Sequence, residues 1–361
     1  MKKSLRYTAI ILALCLLVMS FAACSPTEGT HASTPTPDPA ASFNENTLIV
    51  TVEGSPVYWP EFQYWLNYSL QYYGFTPGSE IDWDADYSSN MTLREFVMYD
   101  AVNAVALYRV IDNLAESLGT TLTAEDKANI ETIMSENAAY FESDEAYEAY
   151  LTENYLSEEL MEYLLTASCN YYNIFVKMFG ADGEQVPDAD AIAFGTDNGY
   201  YRAKHILMSF TDDEGNPYSE DEMADKLSQL EDILSQIKAS DDPVEAFDQF
   251  MLEYNEDPGM AAYPNGYQFV KGDMVTEFQA AVESLEDYGI SDIVTMGDYG
   301  YTIIMRLPLD PDEAAISDMY GSTLRYNTAN FEYEALANTW TVEANIEYSD
   351  NYSYVDPADW F

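Results

Sequence analysis

The chain has 361 residues, 47% hydrophobic and 14% aromatic, so it can bury real cores, and its length indicates about two domains. It carries 64 acidic and 14 basic residues, a formal net charge of -50, which excludes nucleic-acid binding. The acidity has two readings, solubility of the folded protein or attraction of cationic unfolded chains, and composition favours the first.

The N-terminal segment has the pattern of a secretory signal peptide, predicted over residues 1–23. Lys2, Lys3 and Arg6 precede an apolar run from Ala9 to Met19. That run is too short for a comfortable membrane span, and small residues follow it. The protein is therefore expected outside the cytoplasm.

The stretch SFAAC, Phe21 to Cys24 with the preceding serine, resembles the lipobox of bacterial lipoproteins, whose cysteine carries diacylglycerol. The resemblance implies lipid attachment at Cys24 and an anchor on the extracytoplasmic face of the cell membrane. Phe21 stands where the pattern usually has leucine, so ordinary signal-peptidase cleavage after Ala22 is the alternative. Residues 24–46 are rich in Pro, Ser and Thr and are predicted to be a disordered tether. Cys169 is the cysteine left for the folded part, so no intramolecular disulfide is expected.

The region 47–180 is predicted to be a mostly helical domain. TLIVTVEGSPV, Thr47 to Val57, alternates like a strand and ends in a turn, and a helix follows from about Pro60 to Tyr73. Helix N-caps follow at four positions, the first in a capping box with Glu95: Thr92, Thr123, Ser143 and Ser157.

After a polar linker predicted at 181–199, the sequence pattern changes from mostly helical to a mixture of strands and helices. From 200 to 309, strand-like and helical segments follow in the order β-α-α-β-α-β, which is typical of a compact α+β domain. The strands are predicted in RAKHILMSF, YQFVKG and YTIIMRLPL, and the helices from Ser219 to Ala239, from Pro243 to Tyr254 and in TEFQAAVESL. Residues 310–361 are predicted to return to helix, with a short strand in ANIEYS.

Five segments of the 200–309 region resemble parvulin-type peptidyl-prolyl isomerases in order and spacing. They are RAKHILM, YNEDPG, FVKGDMVTEFQAAV, LEDYGISDIV and YGYTIIMRL. The resemblance implies a parvulin domain, a four-stranded antiparallel sheet with surrounding helices. The lipid-anchored N-terminal region and the helix after the domain also look like PrsA-like and SurA-like extracytoplasmic foldases. That likeness implies an α+β protein whose parvulin domain is attached to a mostly α-helical, chaperone-like domain built from both flanks.

The parvulin resemblance also implies the site residues. His205 matches the first histidine of the family's site, and Asp257 matches a position that holds Cys or Asp. The implied proline pocket consists of Met274, Phe278, Phe269 and Tyr267. Read without the family, a lone strand histidine is more often a satisfied core residue, and an acid before Pro-Gly is a turn residue. Met274 and Phe278 are four residues apart, which predicts one helix face.

Two departures from the family pattern bear on activity. Thr302 stands where the second histidine is usual, and a hydroxyl cannot replace an imidazole pair. The usual Gly-Gly-Asp-Leu-Gly loop is replaced by YPNGYQF, so Tyr263 or Tyr267 would take the place of a pocket leucine. We therefore expect catalysis by His205, Asp257 and Thr302 to be weak rather than absent.

The resemblance implies a membrane-anchored foldase that isomerises X-Pro bonds in unfolded secreted polypeptides and also acts as a chaperone. The alternative is a holdase whose parvulin domain binds peptides without catalysis. No cofactor is required, because amide rotation makes and breaks no bond. A calcium-like stretch from Asp82 to Asn90 lacks the needed glycine and glutamate, so no metal is expected there.

Overall fold

The computed structural model describes residues 43–75, 80–88, 91–212 and 214–360. The predicted signal peptide, Cys24 and most of the predicted tether lie outside the described residues. The chain divides into two compact units, one formed by the residues up to 178 with 332–361, and the other by 179–331. Within the described ranges, no helix is both long enough and apolar enough to cross a membrane.

The helices and strands of the described chain have the following bounds. The helices are α1 (Trp59–Tyr72), α2 (Leu93–Leu118), α3 (Ala124–Ala139), α4 (Asp144–Glu153), α5 (Glu158–Phe179), α6 (Asp188–Asp197), α7 (Glu220–Ala239), α8 (Pro243–Tyr254), α9 (Gly259–Ala262), α10 (Thr276–Glu283) and α11 (Leu324–Glu343). The strands are β1 (Leu48–Val52), β2 (Ser55–Tyr58), β3 (Asp86–Ser88), β4 (Met91–Thr92), β5 (Tyr200–Ser209), β6 (Tyr267–Val270), β7 (Val294–Met296), β8 (Gly300–Leu307) and β9 (Ile346–Tyr348).

The first unit is built around the long helix α2. The predicted capping box is present, since the Thr92 side chain accepts from the Glu95 N–H and the Glu95 side chain accepts from the Thr92 N–H. The helix ends at Gly119, whose φ of 66° is left-handed. β9, near the C-terminus, pairs antiparallel with β1, so the last part of the chain completes the N-terminal sheet.

The second unit contains a four-stranded antiparallel sheet in the order β6-β5-β8-β7. Its core lies between this sheet and helices α7, α8 and α10, and includes Ile206, Phe247 and Ile303. The predicted α+β class and four-stranded sheet are confirmed. The residue pattern alone missed β7, because a three-residue edge strand is too short to show an alternation.

Residues 181–199, predicted to be a polar linker, contain the helix α6. Pro187 precedes the helix with an extended conformation (φ -62°, ψ 147°), which fits a helix start. Ala191 is buried, and a Cβ added to Gly195 would lie 2.8 Å from Leu324. The helix packs through small residues, so it shows none of the large apolar periodicity from which a helix is predicted.

Candidate active site

The candidate site is centred on β5, an inner strand of the four-stranded sheet. β5 pairs with β6 on one side and β8 on the other, so both of its backbone edges are hydrogen-bonded. His205 lies opposite Ile304 of β8, and the residue is 5% exposed. The ladder with β8 fixes the backbone at His205, whereas the ladder with β6 pairs only residues 200–203 of the same strand.

Asp257 lies against His205, in the turn after α8. His205 Nε2 is 3.2 Å from Asp257 Oδ2. The Tyr267 hydroxyl donates to the same oxygen at 2.8 Å, and the Gly259 N–H donates to Oδ1 at 2.9 Å. Both carboxylate oxygens are therefore occupied, and the carboxylate is held in one orientation.

The NEDPG turn is attached to β5 by hydrogen bonds that fix the position of Asp257. The Leu207 N–H donates to Asn255 Oδ1 at 2.8 Å, and the Glu256 N–H donates to the Leu207 carbonyl at 2.9 Å. The Asn255 side-chain amide also donates to the Asp257 carbonyl at 3.0 Å. Asn255 thus joins the turn to the strand that carries His205.

The electrostatics of the site favour an ionised carboxylate. The hydrogen bond from His205 lowers the pKa of Asp257 to about 2; burial opposes this, and the Gly259 N–H and Tyr267 hydroxyl add to the lowering. Burial, and then the hydrogen bond to Asp257, raises the pKa of Tyr267 above its usual value. At neutral pH the pair is a phenol donating to a carboxylate.

Aromatic rings surround the His205 imidazole. The Tyr267 ring is stacked with it at 5.8 Å between centroids, and the Phe278 ring meets it edge-on at 5.4 Å. Phe269 packs against Phe278 at 5.9 Å, and both phenylalanines are buried. Of the four residues predicted for the proline pocket, Tyr267 and Phe278 thus lie against the histidine, and Phe269 lies against Phe278. Tyr263 is half-exposed and packs on Tyr267 at 5.1 Å.

The prediction that Met274 and Phe278 share one helix face is wrong in its geometry. α10 begins at Thr276, after Val275, whose φ of -57° and ψ of 145° are not helical, so Met274 precedes the helix. Met274 is partly buried and packs against the same hydrophobic core as Phe278. Four-residue spacing places two side chains together only within continuous helix, and here the first residue belongs to the loop.

Thr302 is fully buried, at 0% exposure, on β8 opposite Leu207. Its hydroxyl lies 3.1 Å from the Ile206 carbonyl, to which it donates. Because a hydroxyl has one proton to donate, this bond uses the donor that Thr302 could have offered to a substrate. The Thr302 hydroxyl is therefore hydrogen-bonded to the backbone of Ile206, the residue that follows His205.

Two features of the site were not foreseen from the sequence. The Tyr267 hydroxyl is a partner of Asp257, although the sequence suggested this tyrosine for its ring alone. His205 Nδ1 is buried and has no hydrogen-bond partner among the described residues. The threonine at position 302 was the sequence signal for the second feature. A second histidine is usual there in the family, and the smaller Thr302 side chain bonds to the Ile206 carbonyl and not to His205 Nδ1.

The arrangement combines an apolar, aromatic surface with a fixed polar edge. Such a site can exclude water from a bound amide and present oriented polar groups to it. Across the described ranges, no group of three or more His, Cys, Asp or Glu side chains could hold a metal ion.

Comparison with known proteins identifies this part of the chain. Residues 205–307 match the family model described as Rotamase, PPIC-type PPIase domain. No curated protein matches the chain significantly.

Several solved structures resemble the chain. The solution structure of TbPIN1 is 26% identical, covering 30% of this chain and 96% of that one, with a TM-score of 0.25. The peptidylprolyl isomerase PrsA from Bacillus cereus is 16% identical, covering 88% and 99%, with a TM-score of 0.30. A structure from the work on PEB4 and Cj1289, two SurA-like chaperones of Campylobacter jejuni, is 17% identical, covering 68% and 95%, with a TM-score of 0.23.

The family match runs from the middle of β5 to the end of β8 and includes His205, Asp257 and Tyr267. It agrees with the four-stranded sheet and with the site built on its inner strand. The chain therefore contains a parvulin, or PPIC-type, peptidyl-prolyl cis-trans isomerase domain at residues 205–307.

Proposed function

We propose that this protein is a membrane-anchored extracytoplasmic foldase, which isomerises X-Pro bonds in secreted polypeptides and also holds unfolded chains. The observation that carries the proposal is the His205, Asp257 and Tyr267 cluster, set against buried aromatic rings in a PPIC-type domain. The domain boundaries proposed with it are a chaperone-like part at 47–180 and 310–361 and an isomerase domain at 200–309. The compact units divide the chain differently, since residues 310–331 belong to the second unit.

The chemistry required is rotation about an amide bond. The barrier is about 18–20 kcal/mol, because the twisted state loses amide resonance. A catalyst lowers it by removing water from the amide and binding the twisted state better than either planar state. No nucleophile is needed, which agrees with a site made of a histidine, a carboxylate and a phenol.

Each site residue has a proposed role. Met274, which is partly buried, and Phe278 form the apolar surface for the proline ring, and Phe269, at 0% exposure, supports Phe278 from within the core. Asp257 presents a fixed carboxylate at the polar edge, and its side chain is 22% exposed, so a substrate amide can approach it. His205 and Tyr267 hold that carboxylate in place.

Thr302 has a more distant proposed role. Its bond to the Ile206 carbonyl steadies the strand on which His205 lies. In this proposal Thr302 is a positioning residue, and it does not touch the substrate.

Holding of unfolded chains is supported by large apolar side chains on the surface. Tyr140 in the first unit and Tyr320 in the second are each 87% exposed, and Leu252 and Met319 are 82% and 84% exposed. Side chains of this kind bind apolar segments that folded proteins bury.

The alternative is a holdase whose parvulin domain is catalytically silent. Two observations favour it: the Thr302 hydroxyl is already bonded to backbone, and His205 Nδ1 lacks a partner among the described residues. In this reading the domain still presents an aromatic peptide-binding surface.

Refolding of a client protein that is limited by a trans-to-cis prolyl step separates the two functions. The foldase proposal predicts that wild type accelerates the slow phase, while the double variant His205→Ala, Asp257→Ala suppresses aggregation without acceleration. The holdase alternative predicts that wild type and variant both suppress aggregation and that neither changes the slow phase.

A further inference from the structure

The first unit contains an open groove of about 1100 Å³. It lies between the junction of β2 and α1, the middle of α2, and the connection from α4 to α5. Its apolar walls include Pro56, Tyr58, Leu156 and Leu160. A groove of this volume accommodates several side chains of an extended peptide.

The polar part of the groove is a buried ion pair. Arg109 Nη2 lies 2.6 Å from Glu61 Oε2, and these side chains are 11% and 16% exposed. The Arg109 guanidinium lies 4.8 Å from the centre of the Tyr163 ring and donates to the Tyr163 hydroxyl. That hydroxyl donates to Asp112 Oδ2 at 2.9 Å. The guanidinium is therefore held from two sides.

The second oxygen of Glu61, Oε1, is buried and has no hydrogen-bond partner among the described residues. The Trp65 indole, one turn along α1, adds a weak favourable interaction, but its N–H does not reach hydrogen-bond geometry. Burial raises the pKa of both Glu61 and Asp112. Because a buried acceptor without a donor is unfavourable, a ligand that supplies the donor gains binding free energy there.

The charge of the groove selects the sign of that ligand. Its lining residues carry four carboxylates and one guanidinium: Glu45, Glu61, Asp112, Glu159 and Arg109. Anionic ligands are repelled, and so is the chain's own segment 25–42, which contains Glu28 and Asp38 and no Lys or Arg. Charge and apolar walls together fit a cationic side chain with apolar neighbours.

We propose that this groove binds extended polypeptide segments in which Lys or Arg lies between apolar residues, with the cation at Glu61 and Asp112 and its neighbours on Tyr58 and Leu160. The inference rests on the proposed holding of unfolded chains and names the client chemistry. The chain has only 14 Lys and Arg residues, so few of its own side chains could compete with a client cation for this groove.

The direct test is binding of a fluorescent twelve-residue peptide with a central Arg among Leu and Phe, measured by anisotropy with the full chain. The matched peptide carries citrulline, which keeps the shape of Arg without its charge. Wild type should bind the Arg peptide about tenfold more tightly, equivalent to about 1.4 kcal/mol, and added salt should weaken that peptide alone.

Two groove variants and two control variants test whether the preference for the Arg peptide arises in the groove. Glu61→Gln should bind the two peptides equally, and Thr152→Lys, which adds a cation to the groove wall, should weaken the Arg peptide about tenfold. Glu136→Gln and Thr132→Lys make the same changes at exposed positions of α3 and should bind like wild type. If Glu61→Gln does not fold, Thr152→Lys against Thr132→Lys still decides.

Equal affinity of wild type for the Arg and citrulline peptides would overturn the proposal, as would groove variants that match their controls. Isomerisation of a short X-Pro peptide reports on His205 instead. Loss of that activity with groove binding intact would contradict the proposed catalysis alone, and the reverse result would contradict the groove alone.

Discussion

At the scale of single residues, the proposed mechanism depends on an Asp257 carboxylate that stays ionised and does not turn. Three donors, His205, Tyr267 and the Gly259 N–H, fix it, and their combined effect outweighs burial in setting its pKa. This is an arrangement in which the polar edge of the site is formed before substrate binds.

Asp257→Asn tests that carboxylate through the pH dependence of stability. The folded-state pKa of about 2 lies below the value of about 3.9 for unfolded Asp, so the ionised form stabilises the fold above pH 4 and this contribution is lost as pH falls towards 2. Urea unfolding should therefore show a gap between wild type and variant at pH 6 that shrinks by pH 3. The exposed control Asp298→Asn should show no such change, and a gap that grows in acid would contradict the geometry.

Thr302→Val tests whether the threonine hydroxyl acts on the strand or on the substrate. Losing the bond to the Ile206 carbonyl should destabilise the second unit by about 1 kcal/mol, because a buried side-chain hydrogen bond is removed. Isomerase activity should fall less than threefold. A loss of tenfold or more without a stability change would make Thr302 part of the catalytic surface.

The motifs shared with parvulins placed His205 and Asp257 in one site, whereas local pattern alone favoured a core histidine and a turn acid. They were not sufficient for the Tyr267 hydroxyl or for Met274. The first contact depends on how β6 passes the turn after α8, and the second on where α10 begins. Both are settled by tertiary packing, which overrides local spacing.

At the scale of elements, a glycine sets the entry into β6 and so the place of Tyr267. Gly266 has a φ of 102°, and an added Cβ would lie 2.7 Å from the Leu307 side chain and 2.8 Å from the Ala203 carbonyl oxygen. The chain can therefore approach β5 this closely only without a side chain.

Gly266→Ala should destabilise the second unit by more than about 2 kcal/mol, because left-handed backbone strain of about 1–2 kcal/mol adds to the contact. Gly272→Ala is the matched control, with a φ of 103° and nothing within 4 Å of the added Cβ. Thermal unfolding of both variants measures the difference. Equal losses would mean that the close approach at Gly266 costs nothing.

Some of these elements could be predicted from the sequence and others could not. The starts of α2 and α7 were predictable because Thr92 and Ser219 cap them by side-chain chemistry written in adjacent residues. α6 and β7 were not, since one packs through Ala and Gly and the other is three residues long. Elements held by close approach or by an edge pairing leave no periodic signal.

At the scale of the whole molecule, the proposal combines an isomerase domain with a client-holding unit at a membrane. Lipid attachment at Cys24 is predicted from SFAAC. Cys24→Ser should therefore release the protein from the membrane fraction into the extracytoplasmic soluble fraction, because the acyl chain contributes most of the membrane affinity. Immunoblots of fractionated cells measure this, with Cys169→Ser, a substitution in the folded part, as control. A Cys24→Ser variant that stays membrane-bound after its signal peptide has been removed would refute the anchor.

The central claim is that the site around His205 isomerises X-Pro bonds, and magnetisation-exchange NMR on a short X-Pro peptide measures it without a coupled protease. Wild type should speed cis-trans exchange above the uncatalysed rate, and His205→Ala with Asp257→Ala should lower that rate at least tenfold. Exchange in the presence of wild type at the rate of peptide alone, or of the double variant at the rate of wild type, would contradict the claim.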